Sequence, residues 1–217
     1  MPNTSRNGGR QRRTTGWKSI QCEHYLIMTD AKGTERHYLN GLKKRLPADQ
    51  QNKLTIDVVQ TNDPADFIFE CKRKQNNNPT YVKHTWIVFD YDERSQFDRI
   101  IEDAEKAGFS AGWSNPCIEV WFSAYFGELC GETSSQCCQN TFKTVFKQYT
   151  SCAYTKGNKK IYEHLSENGD EMKAIERAER KFLEHKRNGI TSPSKMCPCT
   201  RLHLLIKEIR DMCPLSE

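Results

Sequence analysis

Four short apolar runs recur along the first half of the chain, each followed by a stretch with helical spacing. This alternation limits the fold more than any other feature. The runs are HYLIMT at residues 24–29, LTIDVVQ at 54–60, HTWIVFD at 84–90 and FSAGWS at 109–114. Residues 35–46 set Tyr38, Leu39, Leu42 and Leu46 on one helical face, and Pro47 helps to end that helix. Residues 64–74 predict a second helix and 75–79 a loop. Residues 97–107 group Ile100, Ile101 and Ala104 ahead of Gly108, a residue suited to a helix C-terminus. The helix opened by Pro116 is apolar nearly all round, through Ile118, Val120, Trp121, Phe122, Tyr125 and Phe126, so it belongs in the interior. Strand and helix in this order predict an α/β fold, with a parallel sheet of about four strands covered by helices on both faces.

Residues 127–217 are mainly helical in pattern. A helix near 170–187 is expected to bury Met172, Ile175, Phe182 and Leu183. A last one over 200–212 carries Leu202, Leu205, Ile206 and Ile209. The predicted organisation is a disordered basic arm at 1–16 (Arg6, Arg10, Arg12, Arg13), an α/β core at 17–130, and a helical region at 131–217 packed on that core. The aromatic and cysteine-rich stretch 122–138 suits a docking surface and a buried core equally.

A chain of 217 residues can bury a sizeable core without covalent staples. Its net charge of +5 permits a polyanionic partner without requiring one. No apolar run approaches the roughly 18 residues of a membrane span. The polar N-terminus lacks the apolar stretch of a signal peptide, so a cytoplasmic location is expected. The ten cysteines are then expected to be reduced. Cys197 and Cys199 with Cys213, or Cys137 and Cys138 with Cys152, lack the paired spacing of a zinc clamp. Most are expected to act as small buried hydrophobes.

The third apolar run ends abruptly in carboxylates, as Asp90-Tyr91-Asp92-Glu93. Aspartates at i and i+2 can face one side of an extended turn and grip a divalent cation with hard oxygen donors. A plain acidic turn leaving a sheet is the alternative. The first run is followed by Asp30 and Glu35, and the fourth by Ser114-Asn115-Pro116 with Glu119 in the next helix. In a parallel sheet these strand ends lie side by side, and functional residues gather at that edge. Crowded carboxylates repel, and bound Mg²⁺ or Mn²⁺ would relieve the repulsion. Each residue also has a local explanation. Asp30 could cap the following helix, with Thr34 as a rival cap. Glu119 could serve the positive end of its helix, and Glu35 could be a helix-start residue.

The same residues carry a family resemblance. An acidic turn with T-E after the first strand, F-D-x-D, and S-N-P-x-x-E-x-W resemble the RloB family, within the Toprim-like group of metal-dependent nucleases. Tyr154-Thr155-Lys156 resembles its Y-x-K segment, and Ser192-Pro193-Ser194 its closing turn, so the likeness spans about residues 20 to 212. The resemblance implies a Toprim-like core and a Mg²⁺- or Mn²⁺-dependent nuclease that cuts DNA or RNA in prokaryotic anti-phage defence, as an abortive-infection effector. Asp90 and Asp92 would hold the metal, and Asp30 would transfer a proton or add a ligand. Glu119 would be an outer ligand or orient water. Lys156 would contact a phosphate or the leaving group, with an ordinary solvated lysine as the alternative. An AAA- or ABC-type ATPase partner and a possible homo-oligomer are implied in the same way. The family pattern C-E-G-E-x-T-E is replaced here by Thr29-Asp30-Ala31-Lys32-Gly33-Thr34-Glu35, which puts a shorter aspartate where Toprim folds keep a glutamate. Two other readings therefore stand beside the nuclease. One is a nucleic-acid-binding or sensing subunit without chemistry, and the other a toxin-like effector held inactive within an ATPase-containing complex.

Overall fold

The computed structural model describes residues 24–30, 33–59, 66–77 and 82–212, apart from the side chain of Lys83. The arm expected at 1–16 lies outside the described residues, as do Cys22, Ala31 and Cys213. The first half follows the predicted alternation: β1 (His24–Thr29), α1 (Thr34–Arg45), a single turn α2 (Ala48–Gln51), β2 (Leu54–Val58), α3 (Phe67–Asn76), β3 (Val82–Asp90), α4 (Phe97–Lys106), β4 (Ser110–Asn115) and α5 (Glu119–Ala124). The second half holds α6 (Ser135–Thr150), α7 (Ile161–Asn168), α8 (Glu171–Arg187), β5 (Cys199–Thr200) and α9 (Leu202–Met212).

The sheet runs β2-β1-β3-β4-β5. The first four strands are parallel, and β5 is antiparallel to β4. Sequence periodicity does not announce β5. Its two residues pair with Ser114 and Asn115, and two residues carry no alternation to detect. Side chains of β1 and β3 alternate between two cores, as strand geometry requires. Tyr25, Ile27, Trp86 and Val88 face one core, while Leu26, Met28, Ile87 and Phe89 face the other. Strands apolar on both faces are the mark of a covered parallel sheet. The thin layer is α3 and α4, through Phe67, Cys71, Phe97, Ile100 and Ile101. The thick layer takes residues from α1 and from α5 to α9, including Tyr38, Trp121, Phe142, Leu165, Ile175 and Leu205.

The stretch 122–138 contributes Phe122, Tyr125, Phe126, Cys130 and Cys138 to this thick layer, so those residues are core. On α8 the expectation fails in part: Ala174, Ile175 and Ala178 are buried, but Met172 and Leu183 are exposed. The two alanines let α8 approach the core closely, and Met172 and Leu183 project more than a quarter turn from that small-residue stripe. The described cysteines are all free, with five buried and Cys137 and Cys152 exposed. Among the described residues no helix is long and apolar enough to cross a membrane.

Gly41 is where α1 meets α7 most closely, since a Cβ there would stand 2.4 Å from the Cβ of Tyr162. Gly41→Ala should therefore push the two helices apart and lower stability by about 1–3 kcal/mol in urea unfolding. An unchanged midpoint would mean that the helices do not pack at this distance.

Candidate active site

The carboxyl ends of β1, β3 and β4 are neighbours, as the parallel pairing Thr29↔Val88 and Asp90↔Ser114 requires. Asp90 is the last residue of β3 and is buried. Its Oδ2 accepts from the Ile118 N–H at 3.1 Å, answering a free donor at the start of α5. Beyond it the chain turns sharply. The Tyr91 N–H donates to Ser114 O at 2.9 Å, and the Asp92 N–H to Pro116 O at 3.1 Å. Asp92 and Glu93 have φ of 39° and 56°, so the pair Asp90 and Asp92 converges through a left-handed turn, not the extended one that the spacing suggested. The Ser135 hydroxyl, in the first turn of α6, donates to Asp92 Oδ1 at 2.6 Å and fixes its direction.

Asp30 follows β1 and is not a helix cap. The N-cap of α1 is Gly33, which has no side chain to offer. Asp30 Oδ2 instead accepts from Arg94 Nη2 at 2.6 Å. Thr34 and Glu35 open α1, and the Thr34 hydroxyl accepts from the Gly157 N–H at 3.0 Å. That bond brings the turn containing Lys156 against the cleft. Asp30, Glu35, Asp90 and Asp92, with Thr34 and the Lys156–Gly157 turn, line a cavity of about 340 Å³. A larger hollow of about 420 Å³ lies between α4 and α8, but none of these carboxylates faces it.

Glu119 lies outside the cavity lining. It is fully buried in the first turn of α5. Its Oε1 accepts from the buried Tyr154 hydroxyl at 2.8 Å, while its Oε2 is buried with no hydrogen-bond partner. The T-E pair was the only sign in the sequence that Glu35 joins the site. No pattern along the chain points to Arg94, Ser135 or Gly157.

The electrostatics follow from burial. Desolvation pushes the Asp90 carboxyl well above its ordinary range, and Glu35, Cys117, Glu119 and Asp92 add to the rise. Glu35 is pushed up to about 7 by burial, reinforced by Asp30 and Glu119. Burial also raises Asp30, against the pull of Arg94. Burial works against the Lys156 charge, yet Glu119, Asp92, Asp90 and Glu35 together hold its ammonium above its ordinary value.

Among the described residues no three His, Cys, Asp or Glu side chains form a ready metal cage. Mg²⁺ does not need one, because it is usually held through one or two carboxylates and keeps several waters. The donor set is all hard oxygen, and the bare Glu119 Oε2 is an acceptor still lacking a partner. The residues fit a hydrated divalent cation.

Residues 25–209 match the family model described as RloB-like protein. No curated protein and no solved structure matches the chain.

The raised Glu35 has a consequence for stability. Its ordinary value is 4.5, and it rises to about 7 in the fold. Between these values the folded protein keeps a proton that the unfolded chain has released. Stability from this group is fully present below 4.5 and lost as pH rises through about 7. In metal-free protein, Glu35→Gln should flatten that decline in Tm across the interval. An equally steep decline in the variant would refute the assignment.

Proposed function

The chain belongs to the RloB-like family, and from that premise we propose that it is a metal-dependent nuclease hydrolysing phosphodiesters of DNA or RNA. The observation that carries the reading is the cleft itself. Asp30, Glu35, Asp90 and Asp92 crowd one cavity beside a buried and unpartnered Glu119 oxygen. Such crowding is unfavourable unless protons or a cation offset it. Asp90 and Asp92 would hold the ion, with Glu35 beside them once its proton is released. A divalent cation here would supply Lewis acidity toward a phosphate and lower the pKa of a nearby water.

The chain's own residues would do the rest. Asp30 would take up or release the proton of the attacking water, and Arg94 would hold its carboxylate in one direction. Ser135 would keep Asp92 turned into the cleft. Lys156 would meet a phosphate oxygen from the opposite wall, its charge secured by the carboxylates around it. Glu119, held by Tyr154, would act from behind through charge or an intervening water. Burial and the Glu119 charge push the Tyr154 phenol upward, so it stays a donor. A role as effector of anti-phage defence and an ATPase partner rest on the family resemblance alone.

One observation favours a second reading, a binding subunit without chemistry. The Asp30 carboxylate is short, and one of its two oxygens is engaged by Arg94.

Asp90→Asn and Asp92→Asn keep the side-chain shape and remove charge, so each should lower Mg²⁺- or Mn²⁺-dependent cleavage by about a hundredfold or more. Circular dichroism should show the fold intact. Parent-level cleavage by both variants would end the two-aspartate assignment.

Asp30 separates the two readings. If it transfers a proton, Asp30→Ala should abolish cleavage, while Asp30→Glu, which restores reach, should preserve or raise it. The measurement is cleavage rate per folded molecule at saturating metal. An Asp30→Ala protein cutting at the parent rate would remove Asp30 from the chemistry.

A further inference from the structure

The hollow between α4 and α8 has a volume of about 420 Å³ and shares no lining residue with the carboxylate cleft. Its floor is apolar, made by Ile101, Trp113 and Met196. Two cations stand on its α8 side. The Arg201 guanidinium lies over the Phe182 ring, 4.1 Å from its centroid, and the Lys186 ammonium lies 5.6 Å from the same centroid. The Arg201 backbone is held separately, its N–H donating to Trp113 O at 2.7 Å. Among the described residues neither cationic side chain has a hydrogen-bond or ion-pair partner. Arg201 is only partly exposed, and burial works against its charge more strongly than Glu179 and Glu105 support it. A guanidinium withdrawn from water in this way calls for an acceptor.

The acids nearby are engaged elsewhere. Asp98 accepts from the Ser194 N–H at 2.7 Å and from the Ser194 hydroxyl at 2.6 Å, one bond to each oxygen. Glu179 faces His203 Nε2 at 2.7 Å, and Glu102 faces Lys106 at 3.6 Å. Glu105 is exposed at the rim. We propose that this hollow binds a nucleoside monophosphate, with the phosphate on Arg201 and Lys186 and the base on the apolar floor. The guanidinium fork meets two phosphate oxygens at once, and the ammonium adds a point charge. The Thr191 and Ser192 hydroxyls line the same hollow and add neutral donors.

Size and charge narrow the ligand. The volume falls within the roughly 300–1,000 Å³ of small-molecule pockets, so the phosphate carries an organic body. The Glu105 carboxylate at the rim accepts an N–H from the base. Glu102 and Glu105 line the same hollow and repel further negative charge, which suits one phosphate and disfavours a polyphosphate. The walls are set before any ligand arrives. Asn115 holds the turn at one end of the hollow through Pro193 O at 3.1 Å and Ser194 O at 3.0 Å, and Asp98 holds it from α4. Preorganisation of this kind lowers the cost of binding. Two molecules carry this chemistry, a free mononucleotide and the 5′-phosphorylated end of a nucleic-acid strand.

The test is calorimetric titration of the full chain with 5′-AMP in EDTA. No metal and no cleavage enter it, so its outcome is independent of the nuclease reading. AMP should bind at least about tenfold more tightly than adenosine or inorganic phosphate. Arg201→Gln should weaken AMP binding by about tenfold or more, and Lys186→Ala, at an exposed position, by about threefold. Circular dichroism should show both variants folded. Lys156→Ala should bind AMP as the parent does, because Lys156 lines the other cavity. Competition by a short single-stranded DNA with a 5′-phosphate, and not by its 5′-hydroxyl form, identifies a strand end as the ligand, while competition by neither identifies the free nucleotide. Four results would overturn the proposal: no AMP binding by the parent, phosphate alone binding as tightly as AMP, unchanged AMP affinity in both Arg201→Gln and Lys186→Ala, or AMP binding lost in Lys156→Ala.

Discussion

Like charges gathered in a place with little water are the constraint around which this structure is organised. The parallel pairing of β1, β3 and β4 leaves the chain no choice about where Asp30 and Asp90 stand, because their strands end at the same edge. The fold surrounds the acids with donors. Asp90 has the Ile118 N–H, Asp92 the Ser135 hydroxyl, Asp30 the Arg94 guanidinium and Glu119 the Tyr154 phenol. Burial and neighbouring charge raise both Glu35 and Asp90, so protons held there lessen the remaining repulsion. The donors come from α5, α6, the turn after β3 and the connection before α7. The site is therefore assembled by segments spread from Asp30 to Gly157.

One short segment does most of this joining. Pro116 O accepts from the Asp92 N–H and from the Ser135 hydroxyl, Ile118 donates to Asp90, and Glu119 follows directly. Asn115, at the head of the segment, donates to Pro193 O and Ser194 O. Asn115, Pro116 and Ile118 thus tie the edge of the sheet to α6 and to the turn before β5. Residues with so many backbone obligations tolerate little displacement. The Cys117 thiol lies in the same segment and donates to Ser135 O at 3.8 Å, a further tie to α6.

The thick helical layer has its own polar centre, away from the cleft. The Tyr125 and Tyr162 hydroxyls each donate to Glu171 Oε2 at 3.0 Å, and Arg210 Nε donates to Glu171 Oε1 at 2.5 Å. The Tyr38 and Tyr125 hydroxyls lie 2.8 Å apart. Removing either charge of the Arg210–Glu171 pair would strand the other in an apolar setting, so the pair specifies how α1, α7, α8 and α9 dock. That docking holds the Gly157 turn against Thr34, and through it places Lys156 at the mouth of the cleft.

Periodicity in the sequence was enough for the parallel sheet, the order of strands and helices, and the meeting of Asp30, Asp90 and Asp92 at one edge. Backbone geometry turns an apolar run into a strand and successive parallel strands into a shared edge, and both are local properties. Only the tertiary structure decided that Asp30 binds Arg94 and leaves the cap position to Gly33. Likewise it turned Asp92 inward through a left-handed bend and drew Glu35 into the cleft. It set Glu119 behind the cleft with one oxygen bare, and it left Met172 and Leu183 in solvent. These outcomes depend on contacts between residues far apart in the chain, such as Ser135 with Asp92, Tyr154 with Glu119 and Gly157 with Thr34. A pattern read along one segment carries no record of what another segment brings to it.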